Sequence, residues 1–395
     1  MTMRTDKSGS IAVLIQQLND LISKPELTDD QFARDEALQL SKKLTMTLER
    51  PEDVAVETVF SPFIPIAARI VVDMKLLEYI VNNEKAITSR ELALLSGGEA
   101  LLITRLLRAL ASVNLLNEVG EETWQATPVT KAMASEGISA GIRLIGEMVM
   151  GAADKAPKYL KEVGYYSPTD PKDGFVQYAF QTKLSTFQFF NSIPRVQKDF
   201  NNFMGNTMGG RKFWLDWYPI EELIDGAVPD SALLVDIGGG KGHDLVAFHE
   251  KYPNRGKLIL QDFVVDTIGA LDPAITPMYY DFFTEQPIKG ARAYYYHHVL
   301  HDWSDYKCLE ILKPVRDAMK PGYLKLLINE MILPETGACA FHTMLDMAVM
   351  CFNAGMERTE RQWRALLETA GFEVVKVWPA PEEGANGIVE AIVRE

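Results

Sequence analysis

Cysteine is scarce. Cys308, Cys339 and Cys351 are the only three in 395 residues, and no CxxC occurs. That excludes a disulfide scaffold and fits reduced thiols of an intracellular protein. No uninterrupted apolar run reaches the roughly 18 residues of a membrane span. Residues 1–10 are polar and carry no signal-peptide apolar region. The expectation is a cytoplasmic protein without membrane contact. Positive charge is also short: 40 Lys and Arg against 54 Asp and Glu leave a net charge of −14. An extended nucleic-acid partner is therefore disfavoured. No His/Cys cluster has metal-ligand spacing, so no metal is expected.

Apolar residues are plentiful, at 47% of the chain, which supplies an ample core, and the length implies more than one domain. The most informative stretch runs from Leu233 to His243. Leu233, Leu234, Val235 and Ile237 form the short apolar run of a parallel strand covered on both faces. Gly238, Gly239, Gly240 and Gly242 then allow a sharp turn and close approach of a ligand, which would sit at the positive end of the following helix. Asp236 lies where a dinucleotide fold would want its first glycine, so a cationic ligand suits the turn better than a pyrophosphate. The next strand, Lys257 to Asp262, ends in an acid about 20 residues past the turn, where an acid binds ribose hydroxyls.

Upstream, residues 1–45 show helical spacing at Ile11, Leu14, Ile15, Leu18 and Ile22, continued by Phe32, Ala37 and Leu40. Residues 52–84 are more apolar and read as a buried helix, in the core or in a homodimer interface. Thr88 and Glu91 form a capping-box pattern. Two helices follow, the second with Leu102, Leu106, Leu107 and Leu110 on one face. A hairpin around Gly120 completes a winged helix, read as a dimerising module because its second helix carries only Arg105 and Arg108. Residues 131–230 form a helical connector rich in aromatics and methionine, including Met148, Phe180, Met204 and Met208, and the boundary falls near Pro229. From 231 strands and helices alternate. Helices are expected near 241–251, 264–271, 304–319, 340–353 and 359–370, and the last two strands, near 372–379 and 386–393, form an antiparallel hairpin. The expected division is 1–130, 131–230 and 231–395. The fold class is α/β, a Rossmann-like doubly wound sheet beside a helical winged-helix domain.

The ordered motifs Val235-Asp-Ile-Gly-Gly-Gly-Lys-Gly242, Asp262, Asp281-Phe282, His301-Asp-Trp-Ser-Asp305, Asn329-Glu-Met-Ile-Leu-Pro334 and Gly355-Met-Glu-Arg-Thr359 carry a resemblance over nearly the whole chain. It resembles the class I S-adenosylmethionine-dependent O-methyltransferases of the caffeic acid type. That resemblance implies S-adenosyl-L-methionine as cofactor, held by Asp236, Gly238, Gly240, Asp262, Phe263, Asp281 and Phe282, with His297 beside them. It implies a homodimer and a small-molecule substrate. It makes His301 the general base, with Glu330 accepting its N–H and Glu357 bracketing it. Asp302, Met350, Asn353, Phe180 and Met148 are the substrate-side candidates. Family members carry Lys or Arg where this chain has His297. Some fungal members bind the cofactor yet catalyse pericyclic reactions or dehydrations, with the base histidine replaced. Retention of His301, Glu330 and Glu357 favours methyl transfer to an aromatic or polyketide-type hydroxyl. A DNA-binding regulator using the winged helix is the remaining alternative.

Overall fold

The computed structural model describes residues 4–23, 31–206, 211–228, 231–263, 265 and 271–394. The expected helix near 264–271, Met208 and the boundary at Pro229 lie outside those residues, save 265 and 271. The chain forms two compact units, residues 1–127 and 128–395.

In the first unit, strand β1 (Ile87–Thr88) leads into helix Ser89–Ser96, and helix Ala100–Ala111 follows. Strands β2 (Asn117–Gly120) and β3 (Thr123–Gln125) then form the hairpin, giving sheet order β1-β3-β2. The Thr88–Glu91 capping box is present, and Gly97 closes the first helix in a left-handed conformation. Ser89 Oγ sits at the centre of the wing, accepting hydrogen bonds from Trp124 Nε1 at 2.9 Å and Thr104 Oγ1 at 2.7 Å. All three side chains are buried.

Two expectations for this unit change. The buried face of Ala100–Ala111 is Ile103, Leu106, Leu107 and Leu110, while Leu102 points outward. The stretch 51–84 is three helices, Pro51–Phe60, Phe63–Asp73 and Leu76–Asn82, and the first buries no side chain. Val59, Phe60 and Phe63 are 70%, 60% and 62% exposed. Apolar content alone therefore did not place this segment in the core of one chain. The 23 residues Pro51–Asp73 are also apolar and long enough to cross a membrane by length and composition, because Glu57 and Arg69 break the run without offsetting its apolar average. Four of its residues, Ala67, Ala68, Val71 and Val72, are nevertheless buried.

The second unit opens with helices from Pro128 to Asp225 and then lays down the central sheet. Its strands are β4 (Ala232–Ile237), β5 (Lys257–Asp262), β6 (Ile275–Tyr279), β7 (Ala293–His297) and β8 (Lys325–Glu330). The short strands β9 (Ile332–Leu333) and β10 (Arg358–Thr359) pair separately, and β11 (Phe372–Trp378) and β12 (Gly387–Val393) close the chain. The sheet order is β11-β12-β8-β7-β4-β5-β6. β12 is antiparallel to both β8 and β11, and the remaining pairs are parallel. The terminal hairpin thus inserts β12 between β8 and the edge strand β11. Every residue of β4 is buried, as are Tyr294, Tyr295 and Tyr296 of β7, as a strand covered on both faces requires. The chain leaves β4 for β5 on one side and later returns to β7 on the other. That reversal opens a crevice at the carboxyl ends of the strands, where open α/β sheets bind ligands.

Candidate active site

The glycine turn leaves β4 at this crevice. Gly238, Gly240 and Gly242 have φ of 75°, 56° and 79°, the left-handed region that side chains resist. A Cβ on Gly239 would collide with the Asp236 carboxylate, whereas a Cβ on Gly240 would meet nothing within 4 Å. The turn therefore presents bare backbone to open space. Asp262 Oδ2, at the end of β5, accepts the Gly240 N–H at 2.9 Å. Asp236 is fully buried, and neither carboxyl oxygen has a partner among the described residues. Burial, with Asp244 and Asp262 nearby, pushes its pKa well up. A buried, unpaired acid beside an open glycine turn fits a ligand that brings donors or positive charge, and S-adenosylmethionine brings both.

Phe263 and Phe282 lie on the same side, 6.4 Å apart, and Phe263 is 46% exposed. Phe282 packs against Trp303 at 5.9 Å. Asp281 caps its own turn by accepting the Phe283 N–H at 3.0 Å.

His301 sits on the turn Leu300–Asp302 that follows β7, and is buried. Its Nδ1 is hydrogen-bonded to Glu357 Oε1 at 2.7 Å, while Glu330 Oε2 is 3.7 Å from the same nitrogen. This reverses the expected division between the two glutamates. Glu330 instead accepts the backbone N–H groups of Val299, Leu300 and His301 on Oε1, at 3.0, 2.9 and 3.3 Å. It holds the turn, and Glu357 holds the ring. The sequence placed both carboxylates correctly but not which oxygen meets which donor, because β8 brings Glu330 beneath the turn.

Arg358 secures the same turn from outside. It is fully buried and donates to Trp303 O at 2.7 Å and Leu300 O at 3.1 Å. Gly355 passes so close that a Cβ would collide with the His301 carbonyl. Burial opposes charge on His301, but Glu330, Glu357 and Asp302 outweigh it and hold its pKa up at about 10. Asp302 lies 3.7 Å from His301 Nε2, and burial lifts its pKa to about 7.

One donor atom from each of His301, Glu330 and Glu357 falls within 4.8 Å of the others, the three residues that the resemblance brings together for base chemistry. Two ligands about 2.1 Å from one ion lie roughly 3 Å or more apart. The 2.7 Å contact between His301 and Glu357 is therefore that of a hydrogen bond; Glu330 Oε1 is committed to backbone, while Glu330 Oε2 and Glu357 Oε2 are buried with no partner among the described residues.

His297 is bonded on both ring nitrogens, on one of them to Asp244, two residues past Gly242 of the glycine turn. Its Nδ1 pairs with Asp244 Oδ2 at 2.8 Å, and its Nε2 accepts from Asn386 Nδ2 at 2.9 Å. Sequence reasoning missed Asp244, Asn386 and His298. They are 53 to 89 residues from their partners, and no local pattern marks them. Asn353 donates to the Asp302 carbonyl at 3.0 Å and leaves its own oxygen buried and unpaired. Met148 is buried with Phe190, Val196 and Phe352, and Phe180 packs on Phe189 at 5.3 Å. Met350 is partly buried against the cluster of Val149, Ala152 and Phe175.

The chain matches the O-methyltransferase domain family over residues 220–373 and the O-methyltransferase dimerisation domain family over residues 56–136. It is 46% identical over 384 residues to the O-methyltransferase penC of Penicillium thymicola, covering 96% of each chain. It is 51% identical over 336 residues to the O-methyltransferase asqD of Emericella nidulans, covering 84% of this chain and 87% of that one. Among solved structures it resembles LepI in complex with SAM, with a TM-score of 0.86 and 28% identity over 98% of this chain and all of the other. A structure described as a pericyclic reaction enzyme matches with a TM-score of 0.84 at 28% identity, over 98% of this chain and all of that one.

Proposed function

This chain belongs to the S-adenosylmethionine-dependent small-molecule O-methyltransferases, and on that premise we propose that His301 is the general base for methylation of a phenolic or enolic hydroxyl on an aromatic or polyketide-type metabolite. The observation that carries this reading is the 2.7 Å hydrogen bond between His301 Nδ1 and Glu357 Oε1 at the mouth of the sheet crevice. A carboxylate accepts only, so Nδ1 carries the proton and Nε2 is left to face the substrate. A hydroxyl is a weak nucleophile until its proton leaves; Nε2 takes that proton, and Glu357 and Glu330 stabilise the resulting imidazolium. S-adenosylmethionine, when bound, supplies an electrophilic methyl on a sulfonium whose positive charge opposes a second one on His301.

In this reading Asp262 binds the ribose hydroxyls, the turn Gly238–Gly240 receives the methionine end, and Phe263, Asp281 and Phe282 flank the adenine. Asp302, Asn353 and Met350 face the substrate, with Phe180 and Met148 behind them. The exposed apolar face of residues 51–63 is the homodimer contact.

A second reading has its own support: the likeness to a pericyclic reaction enzyme, together with an imidazole that holds its proton up to about pH 10. There His301 donates a hydrogen bond and the methyl stays in place. Measuring S-adenosylhomocysteine with product mass, for wild type and His301→Ala, decides between them. Methyl transfer adds one methyl per S-adenosylhomocysteine, and His301→Ala lowers turnover by on the order of 10²–10⁴. Conversion by wild type with no S-adenosylhomocysteine overturns the methyltransferase mechanism.

A further inference from the structure

A chain of buried and partly buried polar side chains crosses the same end of the sheet without a task in that mechanism. It begins at Asp244, in the first turn of the helix after the glycine turn. Asp244 Oδ1 accepts from Trp214 Nε1 at 2.7 Å and Tyr295 OH at 3.1 Å. Its Oδ2 accepts a hydrogen bond from His297 Nδ1 at 2.8 Å. His297 Nε2 is then an acceptor for Asn386 Nδ2 at 2.9 Å, and Asn386 Oδ1 accepts from His298 Nε2 at 3.0 Å. With His297 in its neutral Nδ1–H form, each bond sets the direction of the next, because the carboxylate at one end cannot donate.

The chain ends on a ring face. His298 lies over His301 with centroids 4.9 Å apart and planes 23° from parallel. Its backbone is left-handed, with φ of 51°, a conformation that persists in a bulky residue only where surrounding contacts enforce it. Here those contacts are the Asn386 bond and the His298 N–H donated to the Asn329 carbonyl at 3.3 Å.

We infer that His298, locked by Asn386, is a positioning residue for His301. The inference rests on His301 being the base. One hydrogen bond to Glu357 fixes a point on the His301 ring but leaves it free to swing about that bond. A flat ring held against its face removes the swing and keeps Nε2 aimed at the substrate oxygen. Misalignment of a reacting group by about 1 Å costs as much as 10²-fold in rate, so the face contact has a measurable worth.

The test compares His298→Ala, His298→Phe and Asn386→Ala, each with full-length protein, a methyl-accepting substrate and S-adenosylmethionine. His298→Ala is expected to lower kcat roughly 10- to 100-fold, with KM and the S-adenosylmethionine dissociation constant within about twofold of wild type. His298→Phe keeps a flat ring but loses the Asn386 bond, so its kcat is expected to match that of Asn386→Ala and to exceed that of His298→Ala, a partial rescue that a merely structural role does not predict. Asn386→Ala, which frees the ring without removing it, falls between His298→Ala and wild type and serves if His298→Ala does not fold. Wild-type kcat in both His298→Ala and Asn386→Ala overturns the inference. So does a His298→Phe kcat no higher than that of His298→Ala, while the protein melts and binds S-adenosylmethionine as wild type does. His301→Ala in the same assay separates the two claims: if it is inactive while His298→Ala is fully active, only the positioning role falls, and if it is fully active, the base assignment falls first.

Discussion

Replacing Glu357 by glutamine keeps the size and shape of the side chain and removes one charge. The perturbed contact is the 2.7 Å bond to His301 Nδ1. A charge-assisted hydrogen bond contributes about 1.5–3 kcal/mol and a neutral one about 0.5–1.5. The difference, about 1–1.5 kcal/mol, falls on the charged form of His301 that appears as the hydroxyl proton arrives. Turnover of Glu357→Gln should therefore drop by about tenfold. The same change acts on pH dependence. Three carboxylates, Glu330, Glu357 and Asp302, hold the free protein's His301 up at about 10 against the effect of burial. The base works unprotonated, so kcat/KM, which reports the free enzyme, should rise with pH toward that value. Loss of one carboxylate destabilises the imidazolium, so the rising limb should move to lower pH.

Stability carries the matching sign. A pKa raised above the unfolded value of about 6.5 gives stability that is complete below about 6.5 and lost as pH rises through about 10. That loss should be smaller in Glu357→Gln. Glu330→Ala should behave differently, because it strands three backbone N–H groups in a buried turn. At about 1–3 kcal/mol for each stranded donor, it should unfold more easily by on the order of 3 kcal/mol or more. Denaturant melts and pH–rate profiles of the two variants are the assay. Wild-type kcat and an unmoved limb in Glu357→Gln would refute the assignment of Glu357 to the ring, and a Glu330→Ala protein as stable as wild type would refute the backbone role of Glu330.

Asp262→Ala should weaken S-adenosylmethionine binding by about 1.5–3 kcal/mol, since it loses the acceptor and also releases the Gly240 N–H; calorimetry checks this, and unchanged affinity removes Asp262 from the site. Phe63→Glu sets a charge on a side chain that is 62% exposed in the single chain; sedimentation should show it monomeric at concentrations where wild type is a dimer, with the fold intact by circular dichroism.

The sequence by itself determined the strand order after residue 231 with the helices near 241–251, 304–319, 340–353 and 359–370, the antiparallel ending, the capped wing helix and the motif positions of His301, Glu330 and Glu357. These are local properties. Apolar runs such as Leu233–Ile237, a Thr88–Glu91 spacing and a glycine cluster act over a few residues, so they are legible in one dimension. Where apolar side chains end up was less legible. Residues 51–63 have the composition of a core helix, yet in the single chain they lie open, because apolar content reports that a surface must be covered and not by what. Leu102 and Ile103 exchanged places for a related reason: a shift of one residue turns a helix face by about 100°.

Only the tertiary structure decided which glutamate grips the ring and which grips the turn, and that His297 faces Asp244 and Asn386. Those pairings join residues 29 to 89 apart. They depend on the register of β7 against β8, where His297 lies opposite Asn329, and on β12 entering between β8 and β11. Hydrogen-bond geometry at the 3 Å scale is set by where strand ends meet in space, and no periodicity along the chain encodes it.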